Sequence, residues 1–168
     1  SLRAAGTACP LGIVLNMSSV TAATPADEAL ARREYASFVR WYLEPLLIGR
    51  YPSHPELPLP EILEGDLELI RAPLDFLGIN YYTRIWASQQ GLPPPRLLGV
   101  NDMGWEVYPE GLRELLVGLQ REYRLPPIWI TENGMPCADR LESGRVADAA
   151  RIDYVRRHLE ALAEAKAE

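Results

Sequence analysis

The sequence has few of the residues that build disulfide frameworks and metal centres: its 168 residues include two cysteines and two histidines. Cys9 and Cys137 lie far apart and outside any Cys-x-x-Cys pattern, so we interpret them as reduced thiols; their spacing supports neither a disulfide nor a shared metal. His54 and His158 are also too distant to suggest a ligand pair, and His158, on a predicted helix, is expected to face solvent. The sequence therefore predicts no metal site.

Basic charge and long apolar runs are scarce as well. The formal net charge is −6, which argues against nucleic acid, because phosphates require a basic surface. No apolar run approaches the roughly 20 residues that a membrane-spanning helix needs, and residues 1–6 are too short and too weakly apolar for a signal peptide. We therefore expect no nucleic-acid partner, no membrane partner and a cytoplasmic location.

Three apolar runs alternate with helical patterns along the chain. Turn residues and prolines separate them, including a Pro-rich loop at 51–60 and a long connection at 83–108. In chain order, the patterns predict a strand at 12–16, a helix at 25–48, a short helix near 65–71, a strand at 75–82, a helix from Pro109 to about 125, a strand at 128–132 and a helix from about 148. Continuous buried strands in the order β-α-β-α-β-α favour an α/β fold with a parallel sheet covered by helices.

Three parallel strands are few for such a sheet, and they leave two unpaired edges. The final residues, 163–168, end inside a helical pattern, and the chain lacks an initiator Met. We therefore expect residues 1–168 to form a single partial domain that is a fragment of a longer polypeptide.

One carboxylate ends the third predicted strand. The apolar run that begins at Ile128 stops at Glu132, and Asn133-Gly134 turns the chain immediately afterwards. In parallel α/β proteins, ligands bind at the carboxyl ends of the strands. Glu132 could act there as a nucleophile or a proton carrier, or it could simply form an ion pair or a helix cap.

Several motifs occur together in a fixed order. The longest are Leu-Gly-Ile-Asn-Tyr-Tyr-Thr at 77–83, Gly-Trp-Glu-Val-Tyr-Pro-Glu-Gly-Leu at 104–112 and Ile-Trp-Ile-Thr-Glu-Asn-Gly at 128–134, with shorter ones at 12–16, 41–46 and 49–52. In this order they resemble glycoside hydrolase family one, the β-glucosidase family, over nearly the whole chain. The resemblance implies a partial (β/α)8 TIM barrel covering roughly strands five to seven, in the C-terminal half of the family barrel.

The resemblance also implies a retaining β-glycosidase that hydrolyses β-D-glucosides or related carbohydrates without a cofactor. Glu132 matches the family nucleophile, and Tyr82 matches a tyrosine that hydrogen-bonds it. Asn80 matches an active-site asparagine, and strand alternation places Asn80 and Tyr82 on the same side of the strand. A phenol donor would stabilise and orient the ionised carboxylate.

Two further residues are candidate substrate contacts. Asn16 ends the first strand, and Trp86 lies in the long connection, where it would border the leaving-group side. Trp105 and Tyr108 flank a helix start, so we expect them to pack there. Glu44 precedes a proline, as the family acid/base does, but it lies late in a helix, so we interpret it as a surface or capping residue.

A retaining mechanism needs two carboxyl groups, and the motif that carries the family acid/base is absent from this sequence. We therefore expect little or no activity from the chain alone, and association with the missing barrel portion, on the same or a complementary chain, or self-association. The alternative function is a non-catalytic scaffold or sugar-binding barrel fragment. A third alternative is an unrelated α/β enzyme that uses Glu132 as a base.

Overall fold

The computed structural model describes residue 6 and residues 8–53 and 57–168, so His54 lies outside the described residues. The helices are α1 (Glu28–Tyr35), α2 (Trp41–Ile48), α3 (Asp66–Ile70), α4 (Glu110–Glu122) and α5 (Ala149–Ala167). The strands are β1 (Gly12–Asn16), β2 (Val20–Ala22), β3 (Phe76–Asn80), β4 (Ile85–Ala87), β5 (Ile128–Glu132), β6 (Leu141–Glu142) and β7 (Arg145–Val146).

The main sheet contains three parallel strands in the order β1-β3-β5. β1 and β3 pair in continuous register from Gly12 opposite Phe76 to Asn16 opposite Asn80. Helices α1 and α2 lie between β1 and β3 in the chain, and α4 lies between β3 and β5. The predicted alternation of parallel strands and helices is therefore confirmed.

The first helical region is less regular than the sequence predicts. A 3-10 turn at Pro25–Asp27 leads into α1, and a π-helical segment, Ala36–Arg40, joins α1 to α2. The Asp27 carboxylate accepts hydrogen bonds from the Thr24 amide at 3.1 Å and the Thr24 hydroxyl at 2.7 Å, which satisfies a free amide at the helix start. Gly49 ends α2 with φ at +71°, a conformation that glycine adopts at little cost.

The hydrophobic core lies between the sheet and the helices. β3 contributes Leu77 and Ile79, and Tyr81 follows the strand directly; each of the three is fully buried. Their partners from the helices are Val39, Leu43, Leu112, Leu115, Leu116 and Leu119. Because successive strand residues point to opposite faces, this packing leaves the alternate residues of each strand on the other side of the sheet.

That other side is exposed over much of its area. Val14 is 46% exposed and Trp129 is 54% exposed, although Trp129 stacks on Phe76 with ring centroids 4.3 Å apart. Within the described part of the chain, the outer strands β1 and β5 each have a partner strand on one side only. This face is apolar at its base and polar at the carboxyl ends of the strands, where Asn16, Asn80 and Glu132 lie.

Two small sheets were not predicted from the sequence. β2 pairs with β4 in parallel, which joins the segment after β1 to the segment after β3. β6 and β7 form a short antiparallel hairpin between β5 and α5. The first of these pairs constrains the long connection between β3 and α4, since that connection contains β4.

Candidate active site

The predicted site residues Asn16, Asn80 and Glu132 meet at one edge of the sheet. Asn80 of β3 is paired with Asn16 of β1 and with Glu132 of β5. The pairing of β3 with β5 shifts register between Ile79 and Asn80, so that Thr131 is an extra residue on β5. Such an irregularity changes the direction of the following side chain.

This shift explains why Glu132 is accessible. Ile128 and Ile130 pack against the core, so strict alternation would direct Glu132 toward the helices as well. Thr131 and Glu132 are instead both exposed. Because of the irregular pairing, the Glu132 carboxylate is therefore exposed and does not lie on the face of the sheet that the helices cover.

A line of hydrogen bonds crosses the three strands at this level. The Asn80 amide donates to the Asn16 side-chain oxygen at 2.9 Å, and the Thr131 hydroxyl donates to the Asn80 side-chain oxygen at 2.7 Å. These two bonds fix the orientation of the Asn80 amide, which is largely buried, at 8% exposed. Thr131 was not singled out from the sequence, although it lies next to the predicted nucleophile.

Tyr82 donates a hydrogen bond from its phenol to Oε2 of Glu132. This bond, followed by partial burial and the negative charge of Glu132, raises the pKa of Tyr82 above its ordinary value. The phenol therefore remains a protonated donor at neutral pH, and a donor of this kind favours the ionised carboxylate. The Trp105 ring lies 5.9 Å from the Tyr82 ring at an angle of 55°, so Trp105 flanks the site as well as the start of α4.

The main chain beneath this pair is held by two side chains that follow it in sequence. The Asn133 amide donates to the Tyr81 carbonyl at 2.9 Å, and the Tyr154 hydroxyl of α5 donates to the Tyr82 carbonyl at 2.9 Å. Tyr154 was not among the site residues predicted from the sequence. A tyrosine on an amphipathic helix is typical of a core residue, and nothing in its position indicates a role at the site.

The side chain of Trp86 contacts residues of its own connection. Its indole N–H donates to the Leu92 carbonyl at 2.9 Å, and the Arg84 guanidinium lies 4.6 Å from its ring centroid. Among the described residues, the side-chain hydrogen bond and ring contact of Trp86 include none with Asn16, Asn80 or Glu132, and its main chain lies opposite Thr21 of β2. Its contact with substrate stays a prediction.

Arg84 and Glu106 tie the two ends of the long connection together. The Arg84 Nε lies 2.8 Å from Glu106 Oε2, and both side chains are 6% exposed. The Glu106 carbonyl accepts from the Thr83 hydroxyl at 2.8 Å, and its carboxylate accepts from the Arg96 amide at 3.0 Å. The guanidinium also lies 3.7 Å from the centroid of the Tyr108 ring. This ion pair, which sequence patterns did not reveal, orders the connection that follows Tyr82 in the chain.

Two expectations about polar helix residues are wrong. Glu44 lies in α2, as predicted. It is not a surface residue, however, since it is 7% exposed. Its carboxylate accepts a 2.8 Å hydrogen bond from the Tyr123 hydroxyl, which packs against it. His158 is 2% exposed and does not face solvent, because its ring stacks on Tyr154 at 3.9 Å.

The described residues were also compared with the requirements for a metal site and for a membrane-spanning helix. Within residues 8–53 and 57–168, no group of three or more His, Cys, Asp or Glu residues is placed to hold a metal ion. Cys9 and Cys137 are both free thiols. None of the described helices is long and apolar enough to cross a bilayer.

Comparison with known proteins identifies the class to which this fold and site belong. The family model described as glycosyl hydrolase family 1 matches residues 2–168, so the chain belongs to that family. A curated relative, β-glucosidase A of Acetivibrio thermocellus, is 36% identical over 89% of this chain and 37% of its own length. Thermostable β-glucosidase B of Thermobispora bispora is 37% identical over 98% of this chain and 38% of its own length.

A solved structure leads to the same fold. The crystal structure of a psychrophilic β-glucosidase from Micrococcus antarcticus superposes with a TM-score of 0.83 at 36% identity, covering 99% of this chain and 43% of that one. The prediction of a partial (β/α)8 barrel is thereby confirmed. The chain spans well under half the length of the proteins that it matches.

Proposed function

We propose that this chain is the nucleophile-bearing part of a retaining β-glycosidase that hydrolyses β-D-glucosides. The observation that carries the proposal is the hydrogen bond from the Tyr82 phenol to the Glu132 carboxylate at the carboxyl edge of a parallel sheet. The relatives named above are β-glucosidases, which supports the substrate class. Residues 1–168 would form a single partial barrel domain that corresponds to roughly strands five to seven, in the C-terminal half of the family barrel.

In the proposed reaction, Glu132 attacks the anomeric carbon of the glucoside and forms a covalent glycosyl–enzyme intermediate, which water then hydrolyses. Tyr82 holds one carboxylate oxygen, so the other oxygen is directed at the sugar. A second carboxyl group, about 5–5.5 Å from the first, must protonate the leaving oxygen. In the family this acid stands on a strand outside the three described here, so we expect little or no turnover by the chain alone.

Asn80 and Asn16 are proposed to bind sugar hydroxyls, since their amides lie along the same strand edge as Glu132. Asn80 has its amide orientation set by Asn16 and Thr131 before substrate arrives. Trp86 is proposed to border the leaving-group side from the long connection. The reaction uses carboxyl groups and hydrogen-bond donors, and it requires no metal or cofactor.

The exposed face of the sheet supports a partner for this chain. Val14 and Trp129 are apolar side chains on the face that carries the proposed site, and no strand among residues 8–53 and 57–168 pairs with the outer edge of β1 or β5. Closure of a barrel buries such a face and removes such edges. We propose that the remaining barrel portion, on the same or a complementary chain, covers it; self-association is the competing arrangement. The cytoplasmic location stays a prediction.

The experiment combines the chain with a polypeptide that supplies the remaining strands of a family barrel. A 2-deoxy-2-fluoro β-D-glucoside is added, and intact mass and peptide mapping locate the trapped sugar. We expect a label on Glu132 in the assembly, no label on the Glu132→Gln variant and normal labelling of the Glu160→Gln variant, whose carboxylate is exposed on α5.

Two outcomes would overturn the proposal. A label on another residue would remove Glu132 from the reaction. An assembly that binds the sugar but carries no label would favour a non-catalytic sugar-binding barrel. Turnover of an aryl β-glucoside by the chain alone, lost in Glu132→Gln, would contradict the expectation that the isolated chain is inactive.

A further inference from the structure

The hydroxyl of Tyr154 connects the ends of two strands. It donates to the Tyr82 carbonyl at 2.9 Å and accepts from the Asn133 amide at 3.3 Å. Tyr82 carries the phenol of the proposed site, and Asn133 directly follows Glu132. Tyr154 is therefore in contact with a neighbour of the nucleophile and with the main chain of the residue that orients it.

Asn133 completes a closed set of contacts. Its amide also donates to the Tyr81 carbonyl at 2.9 Å, and the Tyr81 amide donates to the Glu132 carbonyl at 3.0 Å. The ends of β3 and β5 are thus joined by main-chain and side-chain bonds just below the site. Tyr154 is the member of this set that belongs to α5, so it fixes the two strand ends relative to a helix.

The ring of Tyr154 has little freedom to move. It is 2% exposed, and the ring of His158, one turn further along α5, stacks on it at 3.9 Å with 28° between the planes. His158 Nδ1 lies 2.8 Å from the Tyr154 carbonyl, which holds the imidazole in place. Tyr81 packs on the same imidazole at 5.9 Å. A buried hydroxyl held this firmly can set the position of a carbonyl to which it donates.

We propose that Tyr154 is a positioning residue that aligns the Tyr82 phenol with the Glu132 carboxylate. The role in catalysis rests on the proposed function, but the alignment itself is a property of this chain. The hydrogen bonds of the Tyr154 hydroxyl are to the Asn133 amide and the Tyr82 carbonyl, not to the Glu132 carboxylate. Tyr154 acts through the Tyr82 main chain and through Asn133.

The alignment is tested on the chain alone by ¹³C NMR of tyrosine rings during a pH titration, with Tyr82→Phe used to assign the Tyr82 signal. In Tyr154→Phe, we expect the pKa of Tyr82 to fall toward that of an ordinary tyrosine, because the contact with Glu132 is lost. Asn133→Ala should shift the pKa of Tyr82 in the same direction and provides a second variant should Tyr154→Phe fold poorly.

The matched control is Tyr123→Phe. Tyr123 also donates to a carboxylate, Glu44, at 2.8 Å, but on the helix side of the sheet. Its removal should leave the pKa of Tyr82 raised even if the chain loses stability. An unchanged Tyr82 pKa in folded Tyr154→Phe or folded Asn133→Ala would overturn the proposal.

In the complemented barrel, Tyr154→Phe should slow trapping by the fluoro-sugar about tenfold to a hundredfold, since small misplacements of a reacting group have effects of this size. The inhibitor's binding constant should change little. If the assembly never forms a label, the proposed function fails, whereas the Tyr82 titration still decides whether Tyr154 positions the pair.

Discussion

Arg84 and Glu106 form a two-pronged ion pair whose side chains are each 6% exposed, with Arg84 Nη2 3.1 Å from Glu106 Oε1 beside the 2.8 Å contact of Nε. Glu106→Leu leaves the guanidinium buried without its partner. We expect the free energy of unfolding to fall by about 3–5 kcal/mol, the usual cost of breaking a buried pair from one side. Urea unfolding followed by circular dichroism measures it.

The control for this change is Glu160→Leu, because Glu160 pairs with Arg156 on α5 with both side chains about half exposed. Exposed pairs contribute roughly 0–1 kcal/mol. Similar losses in the two variants would contradict the view that burial of the Arg84–Glu106 pair is what stabilises the long connection.

Two glycines of α4 provide a second test. A Cβ at Gly111 would collide with the Tyr81 hydroxyl and the Ser19 hydroxyl and lie 2.8 Å from Cδ1 of Tyr108, whereas a Cβ at Gly118 would meet nothing within 4 Å. Gly111→Ala should destabilise the chain by about 1–3 kcal/mol through overpacking. Gly118→Ala should stabilise it by up to about 1 kcal/mol, because alanine favours the helix. Thermal unfolding of both variants distinguishes the two effects, and a gain in both would contradict the close approach at Gly111.

His158 makes stability depend on pH. Burial lowers the pKa of His158 below its ordinary value, so the unfolded chain takes up a proton before the folded chain does. Stability should therefore be fully present above about pH 6.5, the unfolded pKa of histidine, and should decrease as the pH falls toward the folded value. Unfolding measured between pH 7.5 and 5 should show this slope in the native chain, flattened in His158→Phe. An identical slope in both would assign it to other groups.

The Glu132 carboxylate should be detectable through its neighbour. Since the hydrogen bond to Glu132 is the largest cause of the raised pKa of Tyr82, Glu132→Gln should return that pKa toward about 10. Tyrosinate absorbance, taken as a difference against Tyr82→Phe, measures the change. The control is Glu44→Gln, which removes the carboxylate beside Tyr123 and should leave the pKa of Tyr82 unchanged. If Glu132→Gln also leaves the pKa of Tyr82 unchanged, the Tyr82 and Glu132 side chains do not pair in solution.

The sequence predicted the main sheet and its helices because their patterns are local. Leu112, Leu115 and Leu119 recur at helical spacing and are all buried on one side of α4. β2 and β4 were not predicted, because a three-residue strand is too short to show an alternation of apolar and polar residues. Their pairing depends on where β1 and β3 end.

The site was only partly predictable. Family motifs selected Glu132, Tyr82 and Asn80, and the position of Asn16 at a strand end selected it as well. The structure brings the four together, but their roles stay predictions. Glu44 and His158 were misplaced because charged and polar helix residues are usually exposed. Tyr123 packs against Glu44, and the rings of Tyr154 and Tyr81 pack against His158. These contacts depend on tertiary packing and cannot be read from residue spacing.

The parallel pairing of β2 with β4 has a consequence for anyone who redesigns this protein. Since Val20 is opposite Ile85 and Ala22 is opposite Ala87, the segments after β1 and β3 share one register. Grafting either segment alone from a homologue would mismatch this small ladder. The two segments should therefore be exchanged together, so that both strands of the pair come from the same protein.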